Sequence, residues 1–555
     1  MGKNYVDIIQ KKEFGYNKLL LEIFLSHPIM ITFLILLSFL EILFAIISPL
    51  VMRSLIDDVL VGKNFGLLYP LLLIFSIIFI ISALSLYFST RIKGNLDIIL
   101  FNALSLQIFD RVQMVEYSEL QQLKTGDLQF RTTGNVGSII QIVTSTIPQI
   151  LVTVSGIFLP VFIMLSLDFT LTIIVISPSI LFVFFSLYFG NEMKAKQRPA
   201  LDSNANLQSF LKESYSSIPL IKVFSLENWM HEKYDQHLAQ YADKSVNLIK
   251  VSSISSTISM LIYGIPSILV ISLGSMAVIQ GTMTIGTLTA FIGYVALFFS
   301  PIQQISFLWN NYKSTQASYE RINEILELKA EQNGDDLISI TKGEIKFENV
   351  WFYYNSRIIL KELNITFARG RNYIVGDNGS GKTTILKLLC GLYTPDRGRI
   401  VLDGQDLTHM SRNAIRTSIS VVFSDALIID GTIYDNILLG NLSTTKEDVI
   451  SAAKKAKLHD FIMKLPKQYE SEVGESGLNL SSGEKQKIAL ARVILRDSPI
   501  IIFDEFTRSI DTESKKSIFS VIKQLTNKTI IIITHDLQDI EKNGRVIVMA
   551  DCGIT

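Results

Sequence analysis

The chain has 555 residues, room for three or four domains at roughly 150 residues each. Charged side chains make up 18% of it, against roughly 25% in an average soluble protein, and 48% are apolar, which points away from a purely soluble molecule. The 51 basic and 51 acidic residues cancel, leaving no overall field to gather nucleic acid, and two distant cysteines, Cys390 and Cys552, exclude a disulfide framework or a structural zinc site.

Apolar residues concentrate before about residue 312. Residues 1–27 are polar and helix-like, without the short apolar core of a cleavable signal. Crossing a ~30 Å hydrocarbon layer takes about 20 apolar residues. Six spans are expected near Pro28–Ile47, Leu67–Tyr87, Thr146–Leu167, Thr170–Tyr188, Ser255–Ile279 and Ile285–Trp309. No charge occurs between Val251 and Tyr312, so two crossings fit there around a tight turn at Gln280-Gly281-Thr282.

Loop charge orients the spans. Lysines precede the first span (Lys3, Lys11, Lys12, Lys18), and basic residues run through the second-to-third and fourth-to-fifth connections. The third-to-fourth and fifth-to-sixth turns have no Lys or Arg. The amino terminus, both long connections and the carboxy-terminal part are therefore expected on the cytoplasmic side. At ~50–60 residues each, the connections are too long for bare loops and read as helices prolonged into the cytoplasm. Glu41 is the acid expected mid-membrane, facing either a cavity or a packed neighbour. Ser145, Thr146, Gln149, Ser255, Ser256, Gln303 and Gln304 are polar enough to line a path or to bond neighbouring helices.

From about Gly343 the pattern becomes short β-rich runs. Tyr373-Ile374-Val375 leads into Gly376-Asp377-Asn378-Gly379-Ser380-Gly381-Lys382-Thr383-Thr384 and an apolar helix. This GxxxxGK[ST] sequence between strand and helix is a phosphate loop: backbone N–H groups wrap a polyphosphate and the helix N-terminus adds its dipole. Lys382 is placed to reach the β- and γ-phosphates and Thr383 to ligate Mg²⁺. Ile500–Phe503 reads as a buried strand ending in Asp504, suited to Mg²⁺, and Glu505, suited to polarising the attacking water. A second such strand ends at His535, suited to sensing the γ-phosphate.

Together these motifs resemble an ATP-binding cassette exporter half-transporter. Leu480-Ser481-Ser482-Gly483-Glu484 resembles the family's signature, Ser509-Ile510-Asp511 its D-loop and Tyr354 the aromatic that stacks on adenine. Gly474-Glu475 resembles the segment that touches the cytoplasmic extensions, and Gly126-Asp127-Leu128 with Arg131 resembles a stretch common in the first extension. The resemblance implies a six-helix transmembrane domain with long helical extensions, followed by an α/β P-loop domain. The expected divisions are 1–27, a transmembrane domain 28–325, a linker 326–342 and a nucleotide-binding domain 343–555. It further implies ATP and Mg²⁺ as cofactors. Two cassettes would face head to tail, each ATP held between Lys382 of one copy and Ser481 and Gly483 of the other, so the partner is a second copy or a paralogue. Ser424 stands where the family's Q-loop glutamine is expected, and Ser424, or Asp425 through water, is expected to substitute. Ser482 and Glu484 are milder departures from the signature.

The leading reading is an ATP-driven exporter of an amphipathic substrate, favoured as a modified antimicrobial peptide, across the plasma membrane by alternating access. A multidrug or lipid exporter of the same architecture stands beside it, as do an importer and a non-transporting membrane ATPase or regulator. With 27 residues ahead of the first span and no cysteine among them, any leader cleavage is expected elsewhere.

Overall fold

A computed structural model of the chain describes residues 16–554, apart from 124, 332–339, 341, 356, 378, 475–476, 478, 508–509, 537, 539, 542–543 and 551–552. The expected site residue Asn378, with Glu475, Ser509 and Cys552, lies outside the described residues. The chain divides into two compact units: Met1–Gln113 with Lys124–Glu327, and Met114–Leu123 with Leu328–Thr555.

The first unit is helical. α1 (Tyr16–Ser26) precedes α2 (Pro28–Ser54), and α3 runs unbroken over Leu68–Met114. A short helix in the other unit, α4 (Tyr117–Leu120), separates α3 from α5 (Thr125–Phe130), α6 (Val136–Gln141) and α7 (Ile147–Leu167). Then follow α8 (Phe169–Ser216), the short α9 (Ile218–Val223), α10 (Glu227–Ile279) and α11 (Ile285–Glu327). Among the described residues, five helices are long and apolar enough to cross a membrane: Pro28–Val61, Phe65–Met114, Thr125–Leu167, Glu227–Ile279 and Ile285–Glu327. The fourth expected span falls within α8, whose qualifying apolar stretch is the shorter Phe169–Ser179. Phe79, Phe158, Phe162, Met260 and Ile279 point outward, exposed by more than half. Water does not tolerate that density of bare apolar surface, and lipid does. The expected cytoplasmic extensions are the polar ends of α3, α8 and α10.

Two cores hold this unit. One joins Ile42 and Ile46 of α2, Met164 of α7, Val175 of α8 and Phe291, Tyr294 and Phe298 of α11. The other joins Tyr16, Leu19 and Ile23 of α1 to Leu96, Leu100 and Leu104 of α3 and Ile322 and Ile325 of α11. A Cβ at Gly156 of α7 would meet Pro301 Cγ at 2.8 Å and Ile42 Cδ1 at 3.0 Å, so the missing side chain lets three helices close up. Glu41 accepts a hydrogen bond from Ser89 Oγ at 3.0 Å, and Gln149 donates to Gln304 at 2.6 Å, which makes these polar groups interhelical bonds. Arg131 lies buried where a π-helical stretch, Arg131–Asn135, follows α5. It donates to Asp127 at 2.7 Å, Glu324 at 2.6 Å and the Arg321 carbonyl at 2.7 Å, which gives the Gly126-Asp127-Leu128…Arg131 pattern a structural role.

The second unit is α/β. Its four-stranded antiparallel sheet has the order β2 (Arg357–Phe367), β1 (Ile345–Tyr354), β4 (Arg397–Leu402), β5 (Gln405–Asp406). A six-stranded sheet has the order β10 (Gly553–Ile554), β9 (Arg545–Ala550), β3 (Gly370–Gly376), β8 (Thr529–Ile533), β7 (Ile500–Asp504), β6 (Ile419–Val422), parallel from β9 to β6. Strands covered on both faces read as unbroken apolar runs, and the two isoleucine-rich strands do so. Ile501, Phe503, Ile530 and Ile532 enter one core, while Ile500, Ile502, Ile531 and Ile533 enter the other. The flanking helices are α12 (Lys382–Leu389), α13 (Arg412–Ser418), α14 (Ile433–Leu438), α15 (Lys446–Lys455), α16 (His459–Met463), α17 (Ser482–Arg496) and α18 (Thr512–Ile522).

The segment Met114–Leu123 belongs to this unit although α3 leads into it from the other. Val115 and Ala330 form an antiparallel bridge, closed by Glu116 N–H to the Lys329 carbonyl at 2.9 Å and Glu331 N–H to the Met114 carbonyl at 2.8 Å. Glu331 in turn pairs with the guanidinium of Arg416. The division expected at residues 326–342 therefore does not describe the whole boundary, because this earlier stretch groups with the later part of the chain.

Candidate nucleotide site

The phosphate loop joins β3 to α12. Gly379 and Gly381 adopt φ of +90° and +97°, conformations that cost side-chain-bearing residues strain. A Cβ at Gly376 would strike the Met549 carbonyl at 2.3 Å, and one at Gly381 would strike Leu360 at 2.7 Å, so strands on both sides hold the loop's shape. Lys382 is buried at the start of α12, donating to the carbonyls of Gly376 at 2.6 Å and Asp377 at 2.8 Å. Beside it, the buried Ser380 Oγ has no hydrogen-bond partner among the described residues, as suits a group aimed at an incoming oxyanion. Thr383, one residue into the helix, is exposed, while Thr384 is buried.

Asp504 ends β7 and is 8% exposed. Burial, then the adjacent Glu505, push its carboxyl up to about 6, and Lys382 and Lys387 offset part of that. A buried carboxylate of this kind, with the Thr383 hydroxyl in the first turn of the neighbouring α12, is an oxygen donor set that fits Mg²⁺. Glu505 follows at φ +42°, a left-handed conformation unusual for a side-chain-bearing residue. Its N–H donates to the Ile533 carbonyl at 3.0 Å, and its Oε1 lies 3.9 Å from Nδ1 of His535. Strand pairing of β7 with β8 thus brings the ends that carry Asp504, Glu505 and His535 together. Asp536 pairs with Lys515 at 2.9 Å, which holds its carboxyl below the usual range.

The signature segment opens α17. Ser481 is the N-cap: its Oγ accepts from Glu484 N–H at 3.4 Å, while Glu484 Oε2 accepts from Ser481 N–H at 2.8 Å. Glu484 therefore closes a capping box. A Cβ at Gly483 would meet Ser514 Oγ at 2.8 Å, so that glycine lets α17 approach α18. Asp511 caps α18, accepting from the N–H groups of Glu513 at 3.0 Å and Ser514 at 2.8 Å. Backbone bonding, led by Ser514, holds its carboxyl low. Ser424 and Ser482 line one cleft of about 330 Å³.

Tyr354 is half-buried at the end of β1. Lys387 of the phosphate-loop helix sits 5.7 Å from its ring centre, linking the two regions.

Two family models match the chain: the ABC transporter transmembrane region over residues 31–302 and the ABC transporter domain over 360–508. It is 32% identical over 521 residues to an exotoxin translocation ATP-binding protein, PaxB of Pasteurella aerogenes, covering 91% of this chain and 72% of that one. The chain belongs to the ABC transporter family. It is also 31% identical to a leukotoxin export ATP-binding protein, LtxB of Aggregatibacter actinomycetemcomitans, covering 94% of this chain and 74% of that one. An alpha-hemolysin translocation ATP-binding protein, HlyB of Escherichia coli O157:H7, is 30% identical, covering 96% and 75%. A bacterial Atm1-family ABC exporter with ATP bound shares the fold, with a TM-score of 0.81 at 24% identity, over 95% of this chain and 94% of that one. The protein is thus an ABC exporter, with membrane and ATP-binding domains fused in one membrane-spanning half-transporter, and a transport-coupled ATPase.

Three residues that flank this transporter's nucleotide site escape a reading by motif. Gln486 of α17 donates through Nε2 to the carbonyls of Phe423 at 3.0 Å and Ser424 at 2.8 Å, latching the segment around Ser424 to α17. Arg492, half-buried on the same helix, donates to Asn436 Oδ1 at 2.7 Å. Tyr393, in the turn after α12, packs edge-on against Tyr354 with ring centres 5.5 Å apart. All three lie outside the short motifs and act through tertiary contacts, which leave no local pattern in the sequence.

Proposed function

We propose that this exporter moves an amphipathic polypeptide outward across the plasma membrane by alternating access of a dimer, a homodimer in the simplest case. The cassettes face the cytoplasm. ATP binds with its base on Tyr354 and its phosphates along Gly376–Thr384, and Lys382 turns from the carbonyls of Gly376 and Asp377 to the β- and γ-phosphates. Thr383 and Asp504 hold Mg²⁺, with Ser424 or Asp425 through water; the ion supplies charge neutralisation at the phosphates. Glu505 polarises the attacking water and His535 contacts the γ-phosphate. Ser481, Ser482 and Gly483 of the second copy close the site: the N-terminus of α17 offers donors to phosphate oxygens. There Asp511 orders the neighbouring turn, and Glu484 keeps Ser481 in its cap.

The observation that carries this reading is the convergence of Asp504, the left-handed Glu505 and His535 on the strand ends beside Lys382. Replacing Glu505 with Gln in the reconstituted protein should trap ATP and stop flux; undiminished flux sinks the proposal. The relatives' names, which concern export or translocation of toxins, favour a polypeptide over a drug or lipid as cargo. Within that class a modified antimicrobial peptide is the finer reading. ATPase stimulation across peptides, drugs and lipids distinguishes them, and stimulation by lipids or drugs alone overturns the peptide assignment.

A further inference from the structure

Tyr393 joins the base-binding edge of the site to the short helix α4. Its ring lies edge-on to Tyr354 at 5.5 Å, to Phe352 at 5.3 Å and to Tyr117 of α4 at 6.0 Å. Phe352 and Tyr354 are themselves edge-on at 5.0 Å. The ammonium of Lys387 stands 5.7 Å from the Tyr354 ring centre and 5.8 Å from that of Tyr393, so one cation holds both rings. Aromatic pairs at these distances resist independent rotation.

A polar chain runs through the same group. The Tyr393 hydroxyl donates to Gln121 Oε1, just beyond α4, and Gln121 Nε2 donates to the Tyr117 hydroxyl at 2.9 Å. Both ends of the Gln121 amide are thereby committed, and its orientation follows that of Tyr393. Burial, and next the neighbouring Tyr354, push the Tyr393 hydroxyl up to about 12, so it remains a proton donor across the physiological range. A cleft of about 400 Å³ beside these rings, reaching Ser118, Gln122 and Asp396, leaves α4 room to shift.

We propose that Tyr393 is a positioning residue that reports occupancy of Tyr354 by a purine base to α4 through Gln121. The inference rests on Tyr354 being the base platform. Stacking of a purine restrains the Tyr354 ring; Tyr393 and Lys387 are held with it, and the hydroxyl of Tyr393 then fixes Gln121 and α4. A transporter whose Q-loop carries Ser424 in place of glutamine gains from this second route, since its message depends on the base, whereas a Q-loop reads the phosphate end.

Hydrogen–deuterium exchange of residues 115–123 in the full-length protein, with ATP or CTP at saturation and no divalent ion, tests the assignment. In wild type, ATP should slow exchange of this segment at least about threefold more than CTP, whose smaller pyrimidine covers less of the ring. In Tyr393→Phe, and separately in Gln121→Leu, the two nucleotides should give equal protection while ATP affinity stays within about twofold of wild type. An ATP-specific difference that survives in both variants overturns the proposal. Tyr354→Ala distinguishes its basis: ATP affinity should fall at least about tenfold toward that of CTP. Unchanged affinity there removes the base platform itself, whatever Tyr393 does.

Discussion

Nδ1 of His535 and Oε1 of Glu505 stand 3.9 Å apart at the ends of adjacent parallel strands, with Glu505 held at φ +42°. The separation is too long for a direct hydrogen bond, and a bound phosphate or water fits that geometry. The left-handed backbone costs about 1 kcal/mol for a side-chain-bearing residue. Glu505→Gln should lower kcat for ATP at least about 100-fold with nucleotide affinity retained. Glu505→Gly should be equally inactive yet melt above Glu505→Ala, because glycine accepts this conformation. Melting curves of the two inactive variants check the strain, and equal midpoints count against it.

Asp504 carries a pH signature. Its folded-state value, about 6, lies above the ordinary carboxylate value, so folding favours the protonated form. The sign follows from linkage: this group destabilises the fold progressively as pH rises from about 4 through about 6, and the penalty is full above that. Asp504→Asn should therefore stabilise the nucleotide-free, magnesium-free protein at pH 7.5 by an amount on the order of 2 kcal/mol, read as a raised melting temperature. At pH 4.5 the gain should shrink toward zero. The same variant should hydrolyse little ATP. A variant less stable than wild type at pH 7.5 rejects burial as the dominant cause.

The capping box at the head of α17 separates architecture from chemistry in the signature. Glu484→Gln preserves an acceptor for the Ser481 N–H and should change stability by no more than a few tenths of a kcal/mol. Glu484→Ala opens the box, and Ser481→Ala removes the cap at about 1 kcal/mol. Ser481→Ala should also raise KM for ATP, while Glu484→Gln should not. Thermal denaturation with steady-state ATPase measurements gives both readouts.

Arg131 is a fork with three acceptors: Asp127, Glu324 and the Arg321 carbonyl. Lysine cannot reproduce that planar geometry. Arg131→Lys should cost about 1–3 kcal/mol, and Arg131→Met about as much, seen as earlier aggregation on heating in detergent. If lysine matches wild type, charge alone explains the site.

The fold was legible where chemistry is local. The phosphate loop, the two strand exits and the membrane helices each announce themselves over 10–20 residues, because backbone approach, strand burial and lipid exposure impose short-range patterns. Glu484 shows where such reading stops: as a departure from a motif it looked like a tolerated charge, and only the N-cap geometry reveals that it bonds Ser481. Gln486 and Tyr393 were silent for another reason. Their partners, Ser424 and Tyr354, lie 62 and 39 positions away, and an amide or phenol meeting a distant group leaves no periodicity. The short stretch around Val115 and Ala330 was missed likewise, since one bridge across more than 200 residues carries no local pattern.

That bridge has a practical meaning for anyone exchanging parts between transporters. Because residues 114–123 fold with the catalytic lobe while being spelled out inside the membrane half, a graft that begins near residue 343 leaves behind the Gln121 that Tyr393 bonds and the Glu331 that Arg416 pairs with. A working chimera needs two junctions more than the linear map suggests, one on either side of that decapeptide.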